Sequence, residues 1–282
     1  MPIINGKSYQ SFKHPMLEHI FFKKNPNGDT TLEVISFTLK DISIAYRELG
    51  IKEPASISNT ILDLVRKKRP ITSRLPESVY CLGYDLIKKT GATDNGNSFA
   101  GEFVFVGIGN EINSWLEWPE IYHNELEISS KGIPDGILEF IRSDEGALFS
   151  VIDYCDIFSI LFYNKSQTVI RVQNPLKWQP NEIDGFYFSN ENNHIQLFPV
   201  EAKALTTGDD INLEQIQGAL TVIVLKYVDR NILIRPLATK MIKNGILIAE
   251  FQPIKTMGNT SAAIEVNKFH KISFNPPIDS WS

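Results

Sequence analysis

"IDGFYFSNENNHIQLFPVEAKAL", residues 183–205, decides the fold. Two apolar runs flank the polar segment Ser189–His194, the pattern of a hairpin. Yet the first run starts at Asp184 and the second ends in Glu201-Ala202-Lys203, where the pattern calls for core. With 189–194 as the loop, Phe188 pairs with Ile195, Phe186 with Leu197 and Asp184 with Pro199. Paired residues share a face, and side chains alternate along each strand. One face then carries Phe186, Phe188, Ile195 and Leu197, and further along it Asp184, Pro199, Glu201 and Lys203. The other carries Tyr187, Phe198, Val200 and Ala202. Two apolar faces predict strands covered by helices on both sides. In this register Asp184 and Glu201 are diagonal neighbours, with Cα atoms about 7–8 Å apart.

Two partly buried carboxylates repel, so one takes up a proton unless a cation is shared. A hard divalent ion relieves this, and Mg²⁺ characteristically takes one or two carboxylates together with phosphate oxygens and water. Lys203, two residues beyond Glu201 on the same face, can reach a water or the phosphate under attack. That is a phosphodiester hydrolysis site in outline. The structural alternative is a surface ion pair between Glu201 and Lys203 near a strand end.

Asp184, then sixteen residues, then Glu201-Ala202-Lys203 on a hairpin resembles the core motif of the PD-(D/E)XK nuclease superfamily, which includes the restriction-endonuclease-like fold. The resemblance covers roughly residues 150–255. Ile183 stands where the motif often has proline, and the literal Pro134-Asp135 lies at a helix start far from the Glu-Ala-Lys. The resemblance implies an α/β (α+β) architecture over 133–282, a restriction-endonuclease-like αβα core with a central mixed sheet. It also implies Mg²⁺ held by Asp184 and Glu201, with Lys203 serving the water. Gln215 or Gln217 would support the site from the following helix. An acid from the first core helix would complete it; Glu139 and Glu145 suit, and Glu139 is preferred.

The N-terminal part differs in charge. Residues 1–98 carry 14 Lys+Arg against 10 Asp+Glu, and the remainder 14 against 23, within a chain of 282 residues and net charge −5. Such asymmetry suggests two modules. "TTLEVISFTLKDISIAYREL" (30–49) runs from an extended stretch into a helical pattern that Gly50 stops, and "SISNTILDLVRKK" (56–68) gives a second helix. "SVYCLGYDLI" (78–87) and "SFAGEFVFVGIG" (98–109) read as a hairpin with a long loop. Two helices followed by a hairpin predict a winged-helix-like DNA-recognition domain over 1–110. Arg66, Lys67, Lys68, Arg69, Arg74, Lys88 and Lys89 are its expected phosphate contacts, although basic residues at a helix C-terminus also offset the helix dipole. Residues 111–132 read as a junction.

Other chemistries find no support. The five histidines and two cysteines are scattered, so no zinc spacing arises, and there is no phosphate-binding glycine loop or nucleophile elbow. Trp115, Trp118, Trp178 and Trp281 could stack on bases, but large aromatics more often pack cores. The N-terminus lacks the pattern of a signal peptide, and no apolar run approaches the roughly 20 residues of a membrane span. Cys81 and Cys155 in apolar stretches fit buried thiols and a reducing cytoplasm. The expectation is a cytoplasmic, Mg²⁺-dependent double-stranded DNA endonuclease without organic cofactor or membrane partner. It is most like a type II restriction enzyme, and a symmetric site would favour a homodimer. The alternatives are a repair, transposon-associated or junction-resolving nuclease of the same superfamily, and a non-enzymatic winged-helix regulator.

Overall fold

The computed structural model describes residues 3–4, 6–65, 70–89, 95–112, 115–134, 143–172, 177–178, 181–191, 194–205, 210–259, 264–278 and 281. They fall into two compact units, Met1–Asn113 and Ser114–Ser282.

Unit 1 opens with β1 (Ile3–Ile4) and β2 (Lys7–Ser8), which pair with each other, and α1 (His14–Lys24), where Pro15 suits the first turn. β3 (Val34–Thr38) runs straight into α2 (Leu39–Glu48). Thr38 makes this possible: its hydroxyl accepts from the Asp41 N–H while the Asp41 carboxylate accepts from the Thr38 N–H, a reciprocal cap. Gly50, at φ +65°, takes the left-handed conformation that ends the helix. α3 (Asn59–Val65), α4 (Ile71–Arg74) and α5 (Glu77–Tyr80) follow, then β4 (Tyr84–Lys88) and β5 (Phe99–Phe105). β5 lies between β3 and β4, antiparallel to both. Met16 and Phe21 of α1, Ile42 of α2 and Leu64 of α3 bury against Phe37, Tyr84 and Phe103 of this sheet. Residues 78–83, expected at the start of a strand, instead begin in α5, where Pro76 takes the extended cap position and Glu77 places its charge in the first turn.

Unit 2 corrects the expected junction: β6 (Asn124–Ser129) is a strand of its main sheet. The apolar run 147–163 lies in two helices, α6 (Glu145–Tyr154) and α7 (Ile157–Tyr163). Asp144 starts α6 by accepting from the Ala147 N–H at 2.8 Å. Then come β7 (Ile170–Arg171), the mutually paired β8 (Lys177–Trp178) and β9 (Asn181–Glu182), β10 (Gly185–Glu191) and β11 (His194–Lys203). α8 (Leu213–Lys226) crosses over to β12 (Leu233–Ile234) and β13 (Leu237–Ile242), both parallel to β11. β14 (Gly245–Phe251), β15 (Ile254–Lys255) and β16 (Val266–Asn275) complete a mixed sheet that has nine strands among the described residues. In it β7, β10, β11, β13, β14, β16 and β6 are successive neighbours, with β12 beside the first half of β11 and β15 beyond β12.

Both faces of the sheet are covered. Tyr187, Phe198, Val200 and Ala202 join Leu148, Ile152 and Phe158 of α6 and α7 on one side. Phe186, Leu197 and Ile234 pack against Leu220, Ile223 and Val224 of α8 on the other. Two covered faces explain why the hairpin reads as almost continuous hydrophobic sequence. Among the described residues, no single helix is long and apolar enough to cross a membrane.

Candidate functional site

The β10–β11 hairpin is paired two residues tighter than expected. Phe186 lies opposite Pro199 and Phe188 opposite Leu197, and the ladder continues through Ser189–Gln196 and Asn190–Ile195 to Glu191–His194. Extending the ladder into the polar segment leaves fewer backbone groups unpaired. A shift of two keeps every side chain on its expected face, because the strand period is two. It also improves the site. Gly185 pairs with Val200, so Asp184 lies directly across from Glu201 rather than on the diagonal.

Three side chains meet there. The Asp184 carboxylate accepts from the Ala202 N–H at 2.9 Å, which ties the start of one strand to the end of the other. Lys203 Nζ donates to Glu201 Oε1 at 2.7 Å and to the Ala202 carbonyl at 2.9 Å, and lies 3.9 Å from Asp184 Oδ2. Glu201 is buried, whereas Asp184 and Lys203 are partly exposed. Burial pushes the Glu201 carboxyl up to about 8, and the Asp184 charge adds to this while the Lys203 ammonium opposes it. Burial alone would lower the Lys203 amine; the charges of Glu201, Asp184 and Glu145 outweigh it and raise the pKa.

Glu145 therefore acts electrostatically on the same lysine from the first turn of α6. Gly185 lets this helix come close. A Cβ there would sit 2.3 Å from Phe149 Cε1, and Phe149 is one helical turn beyond Glu145. Of the two acids considered from sequence, Glu139 falls outside the described residues and Glu145 is the one near the site. Its signal is local: Asp144 is the helix cap, which puts the next residue in the first turn.

The two glutamines separate. Gln215, in the first turns of α8, lines a pocket with Glu201, Pro199 and Ile216. Gln217 is a correction: its side-chain oxygen accepts from the Ile264 N–H at 3.1 Å, so it holds a neighbouring segment.

Among the basic residues expected to contact DNA, Arg66, Lys67, Lys68 and Arg69 lie outside the described residues. Arg74 is a correction. It is buried, and its guanidinium binds Asp85 at 3.0 Å and Glu111 at 3.1 Å. Lys89 pairs with Glu102 and sits over the Phe99 ring. Lys88 is half-buried, and burial lowers its amine.

Asp184 and Glu201 offer oxygen ligands to a hard divalent cation. Among the described residues no group of three or more His, Cys, Asp or Glu is gathered at ligand distance. Two facing carboxylates with the remaining positions left to water and phosphate are the donor set that suits Mg²⁺. No protein-family profile, curated protein or solved structure matches the chain.

Proposed function

We propose that the chain is a Mg²⁺-dependent DNA endonuclease of the PD-(D/E)XK kind, most like a type II restriction enzyme. One observation carries the reading: Asp184 faces Glu201 across the β10–β11 hairpin, with Lys203 on the same face. The surrounding order adds support. A mixed sheet that carries the hairpin, with helices packed on both of its faces, supports the αβα core that the resemblance implies. Support for the DNA-recognition part comes from unit 1, where α2 and α3 precede the paired strands β4 and β5, the order of helices and hairpin expected from the sequence. In this reading its DNA contacts exclude Arg74.

Asp184 and Glu201 would hold the ion, which supplies positive charge toward a phosphate oxygen when bound. Asp184 is oriented for this by the Ala202 N–H. Lys203 Nζ, released from Glu201, would donate a hydrogen bond that orients the attacking water. The water's oxygen would bond to phosphorus as one ester P–O bond breaks, its proton passing to solvent and the leaving oxygen taking a proton from solvent. Glu145 would hold Lys203 in its charged form. Cutting both strands of a symmetric sequence would favour a homodimer.

The test is cleavage of supercoiled and linear plasmid in Mg²⁺, beside EDTA and Lys203→Ala. Discrete fragments in Mg²⁺ that vanish in EDTA and fall about 10²–10³-fold with the variant are expected. DNA binding by the intact wild type, with no cleavage on DNA of varied sequence and modification, overturns the enzyme and favours a regulator centred on unit 1.

A further inference from the structure

The residues level with Lys203 form one row across the sheet. Lys203 is in register with Lys240 on β13, Lys240 with Leu247 on β14, Leu247 with Lys271 on β16, and Lys271 with Glu125 on β6. Residues in register share a face, so Lys203, Lys240 and Lys271 all lie on the face that carries Asp184 and Glu201. The opposite face of the same strands is core, lined by Met241, Ile246 and Ile272. Adjacent strands are about 4.8 Å apart, so the row runs roughly 14 Å from Lys203 to Lys271.

Exposure rises along the row. The side chain of Lys203 is 13% exposed, that of Lys240 28% and that of Lys271 40%. Leu247, between the last two, is buried. Each outer lysine has a carboxylate beside it: Lys240 Nζ lies 2.7 Å from Asp210, and Lys271 Nζ 3.5 Å from Glu125. Partly exposed pairs of this kind contribute only about 0–1 kcal/mol. Exchanging such a carboxylate for a phosphate therefore costs little. Asp210 also lies just before α8, whose first turns bring Gln215 to the same site.

We infer that this row is the track of one DNA strand: Lys240 and Lys271 contact successive backbone phosphates leading away from the phosphate held at Asp184 and Glu201. The inference rests on the nuclease reading above and adds the direction in which substrate leaves the site. Contacts of this type are independent of sequence and governed by salt.

The experiment is titration of a labelled double-stranded oligonucleotide by fluorescence anisotropy over a range of KCl, with Ca²⁺ in place of Mg²⁺, alongside plasmid cleavage in Mg²⁺. Lys240→Ala and Lys271→Ala each reduce the slope of log affinity against log salt by about 0.9, and the double variant by about 1.8. KM for cleavage rises in step. Lys268→Ala is the control. It removes the same charge from β16 but on the opposite face, beside Glu250, and leaves the slope unchanged. Wild-type cleavage with a double-variant slope equal to that of Lys268→Ala overturns the track and leaves the nuclease standing. A wild type that neither binds nor cuts DNA overturns both.

Discussion

Arg74 with Asp85 and Glu111 in unit 1, and Lys203 with Asp184 and Glu201 in unit 2, are built from the same charges: one cation and two carboxylates. Their surroundings differ. Asp85 is fully buried, yet it accepts from Arg74 and from the backbone N–H groups of Leu86 and Ile112. Glu111 accepts from Arg74 and from the Ile71 N–H. The planar guanidinium spans both acids, and fixed amides satisfy the remaining oxygens. Around Glu201 the cation is a point charge, and the nearest neighbour across the hairpin is another acid. The result is a carboxyl that keeps its proton up to about pH 8. A cluster whose charges are met by protein groups holds structure together. A cluster that sets one acid directly against another is suited to bind something.

Breaking each cluster should give opposite results. Arg74→Ala strands Asp85 without its cation in the core of unit 1 and should cost about 3–5 kcal/mol, read as a fall in denaturant midpoint. An unchanged midpoint would remove the distinction. Glu201→Gln should do the reverse in metal-free protein. The folded pKa of Glu201 lies above its ordinary 4.5, so the folded state holds the proton more tightly. Its contribution to stability is full below pH 4.5 and is lost as the pH rises through about 8. Glutamine is never charged, so the variant should be more stable than wild type above pH 8, by about 2 kcal/mol after the lost Lys203 contact. Thermal melts at pH 5 and pH 9 check this, and cleavage should be absent in the same protein. The smallest effect sharpens the role of α6. Gly185→Ala forces a methyl into Phe149 and should cost about 1–3 kcal/mol while weakening cleavage. Adding Phe149→Leu should recover much of both; if stability returns without activity, the position of Glu145 does not matter.

The faces of the hairpin and the convergence of Asp184, Glu201 and Lys203 were legible, because a two-residue alternation fixes sides even where the register is wrong by two. The helix carrying Gln215 was legible for the same kind of local reason. Pairing between distant segments was not. β16 alternates, with Phe269, Lys271 and Ser273 on one side and His270, Ile272 and Phe274 on the other, but nothing local says that it inserts between β14 and β6. The neighbour relation of Lys203 and Lys240 was hidden likewise, since it depends on parallel pairing after a helical crossover. Arg74 looked like one more charge in a basic run. The missed signal was Asp85 inside the apolar "GYDLI", a buried acid that needs a partner.

The place of β16 in the sheet also sets a timetable. β6 has its strand neighbour 146 residues further along the chain, as the contact between Asn124 and His270 shows. A ribosome adding about 5–20 residues per second takes on the order of 7–30 s to make that partner. Unit 1 is complete in sequence at residue 113, before any of this begins. Asp184 and Glu201 also emerge long before β16 does. During synthesis the hairpin that holds the acids can zip up while the sheet behind it is still open along β14, with its edge free to pair with other chains. Protein made at lower temperature or with chaperones present should therefore show its gain in unit 2, where the last strand to be synthesised closes the sheet.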